Sequence, residues 1–398
     1  MRDTEKQFRK YISKDIDYVI ISSPENFYYI SGYASHQHTV SRMAGMAAIV
    51  MRCNSKEEFT KLLVMDYEYN NVIKYVKDKN YEVIAYDTWV GVKDEEEISK
   101  NRFIKKNDKK TIFNLLVDII ETSKNKKIKV GIEKDFISSN FFTQLESIFL
   151  NIEFVDISSQ LVYSRSVKTE EEILIFKELI KIQDKALLKV MNSLRVDISE
   201  KELADIYIKE VIKNYGVSPS AWSMFAIGEN ASILGLPSEK KLKDGEIFKY
   251  DGGVNKNFGF YTTDFARAWI VGKKDQMLVE LKTRLFEAQR LMIENMKPGV
   301  KIKEIFNIGY NYVKEKYPQY ERGHLGHSIS LGPSTWEAPL ITKAEERVLE
   351  KGMVLCVEVP LYIKGLGGFN IEDMVLIKEN GAEILSNITP HFGEGDIF

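Results

Sequence analysis

Four short segments of the C-terminal half carry residues whose types could do chemistry together. In Lys249-Tyr-Asp-Gly-Gly-Val-Asn-Lys-Asn-Phe-Gly-Phe-Tyr-Thr-Thr-Asp264, polar turn residues separate two strand-like runs. The stretch reads as a hairpin with Asp251 on the incoming strand and Asp264 on the outgoing one. Alone, Asp251-Gly252-Gly253 is ordinary turn chemistry. In Gly323-His324-Leu325-Gly326-His327, two of the chain's five histidines stand three positions apart, a pairing that is more often structural or solvent-facing than ligating. Glu358 lies in Leu355-Cys356-Val357-Glu358-Val359, where apolar neighbours imply burial on both faces and no basic residue is close in sequence to neutralise it. Glu372 in Phe369-Asn370-Ile371-Glu372-Asp373 has the same character, although a strand glutamate can simply point to solvent. Taken together, two Asp, one His and two Glu make a donor set for two divalent ions, because carboxylates bridge ions and imidazole fills a terminal position. Four crowded carboxylates would repel one another unless cations neutralised them. Spacing alone does not show that the five meet in space.

The elements that must position these residues are legible from periodicity. Over the first 160 or so residues, short β-branched runs at Tyr18–Ser22, Ala48–Met51, Leu62–Met65, Glu82–Tyr86, Ile128–Ile132 and Ile152–Ile157 alternate with helical stretches such as Thr111–Thr122. That pattern predicts a small α/β domain. Thr169-Glu170-Glu171-Glu172 and Ser199-Glu200-Lys201-Glu202 both have the capping-box form that opens a helix. Further helices are expected over Asp275–Met296, stopping before Pro298-Gly299, and over Lys303–Lys316. Strands are expected at Glu246–Asp251, Gly259–Val271, Val354–Ile363 and Phe369–Ile377, so the second half reads as α+β with antiparallel hairpins.

Composition excludes several classes. With 398 residues, 44% of them hydrophobic and 29% charged, the chain can bury two domain cores and is not a disordered polymer. The 56 basic and 58 acidic residues leave a net charge of −2, which argues against a nucleic-acid partner. The locally basic stretches Lys100–Lys110 and Lys124–Lys129 read as solvated faces. Two cysteines, Cys53 and Cys356, make no disulfide framework and suit a cytoplasmic protein. The N-terminus lacks the apolar core of a signal peptide, and no apolar run reaches the roughly 18 residues of a membrane span.

The order Asp251, Asp264, His327, Glu358, Glu372, in these contexts, resembles the pita-bread-fold metallopeptidases: prolidase, aminopeptidase P and methionine aminopeptidase. Asp17-Tyr-Val-Ile-Ile-Ser-Ser-Pro-Glu-Asn-Phe-Tyr-Tyr-Ile-Ser-Gly-Tyr33 is similar to the opening of the creatinase/prolidase N-terminal domain. Ser164-Arg-Ser-Val-Lys-Thr-Glu-Glu-Glu172 resembles the entry to the catalytic domain, and Lys297-Pro-Gly299 and Leu349-Glu-Lys-Gly-Met-Val354 also match. The resemblance implies an α+β fold, with a creatinase-like α/β domain over residues 1–163 and a pita-bread catalytic domain over 164–398. It implies two divalent ions, manganese first and cobalt, zinc or iron as alternatives. Asp251 and Asp264 would hold one ion, with Asp264 bridging, His327 and Glu358 would hold the second, and Glu372 would bridge both. Tyr261 matches the family's tyrosine. The implied reaction is hydrolysis of a short peptide or small amide, with a metal-bridging hydroxide attacking the carbonyl and Glu358 shuttling the proton. A homodimer is implied as well.

The chain departs from the pattern in places. Asp251 and Asp264 stand thirteen positions apart, two more than usual in the family, an even insertion that preserves strand parity. In Asn230-Ala-Ser-Ile-Leu-Gly-Leu-Pro237, Leu234 occupies the place of a family histidine. In Trp336-Glu337-Ala338-Pro339, Trp336 occupies that of another, with Ser334 the other candidate for the position. Asn370 replaces an arginine. His324 is the nearest stand-in for a lost imidazole. His36, His38 and Arg42 belong to a domain that reaches a neighbouring subunit's site in relatives, but here they read as structural or solvated. The expected function is an Xaa-Pro dipeptidase or aminopeptidase. The rivals are a non-peptidase hydrolase or lyase of the same fold and an inactive binding relative.

Overall fold

The computed structural model describes residues 1–76, 81–91, 93, 95–100, 111–120, 127–273 and 275–386. The end of the Thr111–Thr122 helix and most of the two basic stretches lie outside them. The chain divides into two compact units, Met1–Arg165 and Ser166–Phe398.

In the first unit, six strands form one sheet: β1 (Tyr18–Ile21), β2 (Ala48–Arg52), β3 (Phe59–Met65), β4 (Glu82–Tyr86), β5 (Ile128–Ile132) and β6 (Ile152–Asp156). Their order is β4-β3-β2-β1-β5-β6. β1 is antiparallel to β2 and parallel to β5, which is why its four residues are apolar or aromatic throughout and buried on both faces. Ile20, Val50, Leu63, Val130 and Leu116 share one core. His38 belongs to this unit's interior: its Nε2 lies 2.8 Å from the Ser22 carbonyl oxygen. Burial pushes its imidazole down to about 4. Arg42 pairs with Glu25, and the His36 amide donates to Glu68 Oε1 at 2.8 Å. All three residues thus have structural partners within this unit, as the sequence suggests.

In the second unit, helix Glu170–Met191 starts at a complete capping box. Thr169 Oγ1 accepts from the Glu172 amide, and the Thr169 amide donates to the Glu172 carboxylate at 2.8 Å. Ser199 and Glu202 do the same for helix Glu200–Val211. Helices Gln276–Glu294 and Ile302–Lys316 pack closely because Gly309 carries no Cβ, which would collide with the Met292 sulfur. Strands β7 (Val217–Pro219) and β10 (Val254–Lys256) form a small pair, and β8 (Met224–Ile227), β9 (Ile247–Gly252) and β11 (Phe265–Ile270) form a three-stranded sheet in the order β11-β9-β8. Strands β12 (Gly326–Ser328), β13 (Glu337–Leu340), β14 (Val354–Glu358), β17 (Glu372–Lys378) and β18 (Gly381–Ile384) form a sheet ordered β13-β12-β14-β17-β18. β15 (Leu361–Ile363) pairs with β16 (Gly367–Phe369).

Three expected strands are shorter or split. Gly259–Val271 becomes ladder only from Phe265, because Phe258 and Phe260 take positive φ values of 54° and 61° and break the extended path. Asp264 therefore sits one residue before the strand rather than on it. Val354–Ile363 breaks at Val359-Pro360, where proline has no ladder N–H to donate. Phe369–Ile377 breaks at Asn370-Ile371.

Candidate metal centre

Register brings the candidate donors together. Asp251 on β9 pairs with Ala266 on β11, and Asp264 lies two positions before Ala266. Side chains alternate along a strand and match across a pair, so both carboxylates leave the same face despite the wider spacing. On the five-stranded sheet, Glu358 pairs with Glu372 and His327 pairs with Cys356. Cys356 is two positions from Glu358, so His327, Cys356, Glu358 and Glu372 share one face.

Donor atoms from Asp264, His327, Cys356 and Glu372 all lie within 4.8 Å of one another. His327 Nε2 is 3.6 Å from Asp264 Oδ2 and 3.7 Å from Glu372 Oε1. His327 Nδ1 lies 3.0 Å from the Ser328 carbonyl oxygen, which can only accept. Nδ1 thus carries the proton, and Nε2 presents its lone pair to the carboxylates. Asp251 is held by Asn370, whose Nδ2 is 3.1 Å from Asp251 Oδ2 and 3.5 Å from Glu372 Oε2. His324 Nδ1 lies 3.1 Å from Glu358 Oε1, and Arg322 faces the same carboxylate at 3.7 Å.

The site is electrostatically incomplete. Burial, then the nearby Asp251 and Glu358, raises the Asp264 carboxyl well above the usual range. Burial, then Asp264, Glu358 and Asp251, does the same to Glu372. Burial also raises Asp251 against the pull of Lys249 and Asn370, and it lowers the His327 imidazole. Burial pushes Glu358 up too, but His324, Arg322 and His327 outweigh it and leave that carboxyl low. Asp264 Oδ1 and Glu372 Oε1 are buried without a hydrogen-bond partner. Carboxylates so placed want cations, and oxygen donors with one imidazole fit divalent ions of the first transition row.

Behind the site, Arg267 NH2 pairs with Asp373 Oδ1 at 2.6 Å, and Gln289 Nε2 donates to Asp373 Oδ2 at 3.2 Å. Asp373 points away from Glu372 by strand alternation, so this ion pair holds β17 with Glu372 turned inward.

Of the other expected site residues, Tyr261 donates its hydroxyl to Glu172 Oε1 at 3.0 Å and stacks edge-on to Phe176. Those contacts tie it to the start of the helix Glu170–Met191. Trp336 lies beside His324, with ring centroids 6.4 Å apart, whereas Leu234 is 73% exposed. Cys356, Lys249 and Arg322 were not singled out from the sequence. Strand alternation places Cys356 on the Glu358 face and Lys249 on the Asp251 face, a signal that could have found both; nothing local marks Arg322.

The comparisons with known proteins can be set on this geometry. Residues 6–167 match the creatinase/prolidase N-terminal domain, and residues 175–379, over half the chain, match the model of metallopeptidase family M24. The chain belongs to metallopeptidase family M24. It is 27% identical over 390 residues to an Xaa-Pro dipeptidase of Pyrococcus furiosus, covering 97% of this chain and 98% of that protein. The prolidase structure from Pyrococcus horikoshii OT3 superposes with a TM-score of 0.75 at 25% identity, covering 98% of this chain and 100% of that one. An Xaa-Pro dipeptidase structure from Bacillus anthracis shares the fold with a TM-score of 0.78 at 22% identity, over 100% and 99% of the two chains. As an M24 member the chain is a metal-dependent peptidase of the pita-bread type, with the N-terminal domain of its prolidase relatives. No helix among the described residues is long and apolar enough to cross a membrane.

Proposed function

We propose that this M24 chain hydrolyses short peptides as an Xaa-Pro dipeptidase or aminopeptidase, using two divalent ions held by Asp251, Asp264, His327, Glu358 and Glu372. The catalytic domain is taken to begin at Ser164, manganese is the favoured metal, and a cytoplasmic homodimer is the favoured state. The observation that carries the reading is the pair of unsatisfied buried oxygens, Asp264 Oδ1 and Glu372 Oε1, on the two carboxylates that face the His327 imidazole. Two ions bound there would lower the pKa of water and polarise an amide carbonyl. The chain's own groups do the rest. Glu358, kept ionised by His324 and Arg322, is placed to take a proton and return it to the leaving amine. His324 would relay charge through its contact with Glu358. Tyr261 positions the loop before Asp264 through Glu172.

Trp336 and Asn370 favour a second reading, in which the substrate is another small amide, because the chain offers fewer hydrogen-bond donors there than the resemblance implies. One experiment tests both: elemental analysis and a substrate screen on protein reconstituted with Mn²⁺, comparing dipeptides, tripeptides and small amides. We expect bound manganese, with most of it lost in Asp264→Ala. A wild type that takes up no metal overturns the proposal; turnover confined to non-peptide amides selects the second reading.

A further inference from the structure

Lys249 is an unexplained buried charge among the described residues. It is completely buried, and on β9 its Cα partners are Ala268 on one side and Ala226 on the other. Its Nζ has no hydrogen-bond partner and lies 4.7 Å from the centroid of the Tyr362 ring. An ammonium in such surroundings is costly, because a ring face and alanine methyls replace little of its hydration. A strand that merely packs would carry an aliphatic residue here. Lys249 stands two positions before Asp251, so strand alternation puts both on the face that carries Asp264. Burial draws the Lys249 ammonium below its ordinary range, and Asp251 and then Glu358, both in the proposed donor set, act to keep it charged. Of the two cations that act on Asp251, Lys249 weighs more than Arg322. Enclosed as it is, Lys249 cannot meet a substrate from solvent.

We propose that Lys249 is a built-in counter-charge of the metal centre, its ammonium balancing Asp251 when no ion is there and opposing the ion that uses Asp251. This rests on the donor set proposed above. A like charge held near an ion in a partly screened interior weakens binding by about tenfold or more. The tendency is graded: it acts first at the position that depends on Asp251, and less at the one that Glu358 shares with His327.

The test is calorimetric titration of Mn²⁺ into metal-stripped wild type, Lys249→Met and Lys249→Arg, with circular dichroism to check the fold. Lys249→Met should tighten one binding step by about tenfold or more and the other by less. Lys249→Arg keeps the charge and should bind as the wild type does. The inference is overturned if a folded Lys249→Met binds no more tightly than wild type at any step, or if Lys249→Arg tightens as much as Lys249→Met. Should Lys249→Met lose its fold, Lys249→Gln makes the same comparison. A wild type that takes up no Mn²⁺ at all overturns the metal reading itself rather than the role of Lys249 alone.

Discussion

Glu358 is the residue whose environment says most about its work. It stands opposite Glu372 across the ladder, yet its carboxyl is held low while that of Glu372 is driven up. The difference lies in the partners: His324 and Arg322 reach Glu358, whereas the charges that act on Glu372 are those of Asp264, Glu358, Asp251 and Asp373. A group kept ionised beside a site that wants cations is suited to proton transfer. Glu358→Gln keeps the shape and loses the charge, so turnover by the manganese-loaded enzyme should fall about 10²-fold or more with an unchanged circular dichroism spectrum. Near-full activity in that variant would remove Glu358 from the role. The type and chain order of these donors were legible in the sequence. The contact with His324 was not, because only the fold turns that ring toward β14.

At the scale of the element, the loop after β8 is governed by Glu200. Its carboxylate accepts from the Ile227 amide at 2.7 Å, from Asn230 Nδ2 at 3.0 Å and from the Ser238 amide at 2.7 Å. One buried side chain thus pins both ends of the segment that carries Leu234. Glu200→Ala leaves these donors unanswered and should cost about 2–5 kcal/mol, read by urea unfolding. Amide hydrogen exchange should rise over the loop before it rises elsewhere. Leu234 itself is exposed and free of such duties. On Xaa-Pro dipeptides kcat/KM should lie below about 10⁴ M⁻¹s⁻¹, because Leu234, Trp336 and Asn370 withhold donors from the developing charge. Leu234→His should raise it without changing stability; an efficient wild type would show that other groups, His324 foremost, supply what is missing. The capping boxes at Thr169 and Ser199 were readable because their bonds close within three residues. The Glu200 anchor joins groups up to 38 positions apart, and no local pattern announces it.

For the whole molecule, the crowded acids make stability depend on pH and metal together. Asp264, Glu372 and Asp251 have raised carboxyls. At these three groups the folded, metal-free chain therefore holds more protons than the unfolded one. Their contribution is complete below the ordinary carboxylate range and is lost as pH rises through the raised values. Glu358 is lowered, so its contribution is already complete above that range and does not vary across the window. The gain in Tm on adding Mn²⁺ should accordingly be larger at about pH 8 than at about pH 5.5, as ions replace the protons. An equal gain at both would mean that these carboxyls do not repel as described. By itself the sequence determined the two kinds of domain, the capped helices and five donors in a particular order, because periodicity, caps and residue chemistry are local. Only the tertiary structure decided which faces meet. It put the Cys356 thiol among the donors, turned the Tyr261 hydroxyl to Glu172, and buried the Lys249 ammonium beside Asp251. Alternation along a strand says which side chains share a face. What that face is pressed against follows from the packing of β9 and β11 against β14 and β17, which no single strand encodes.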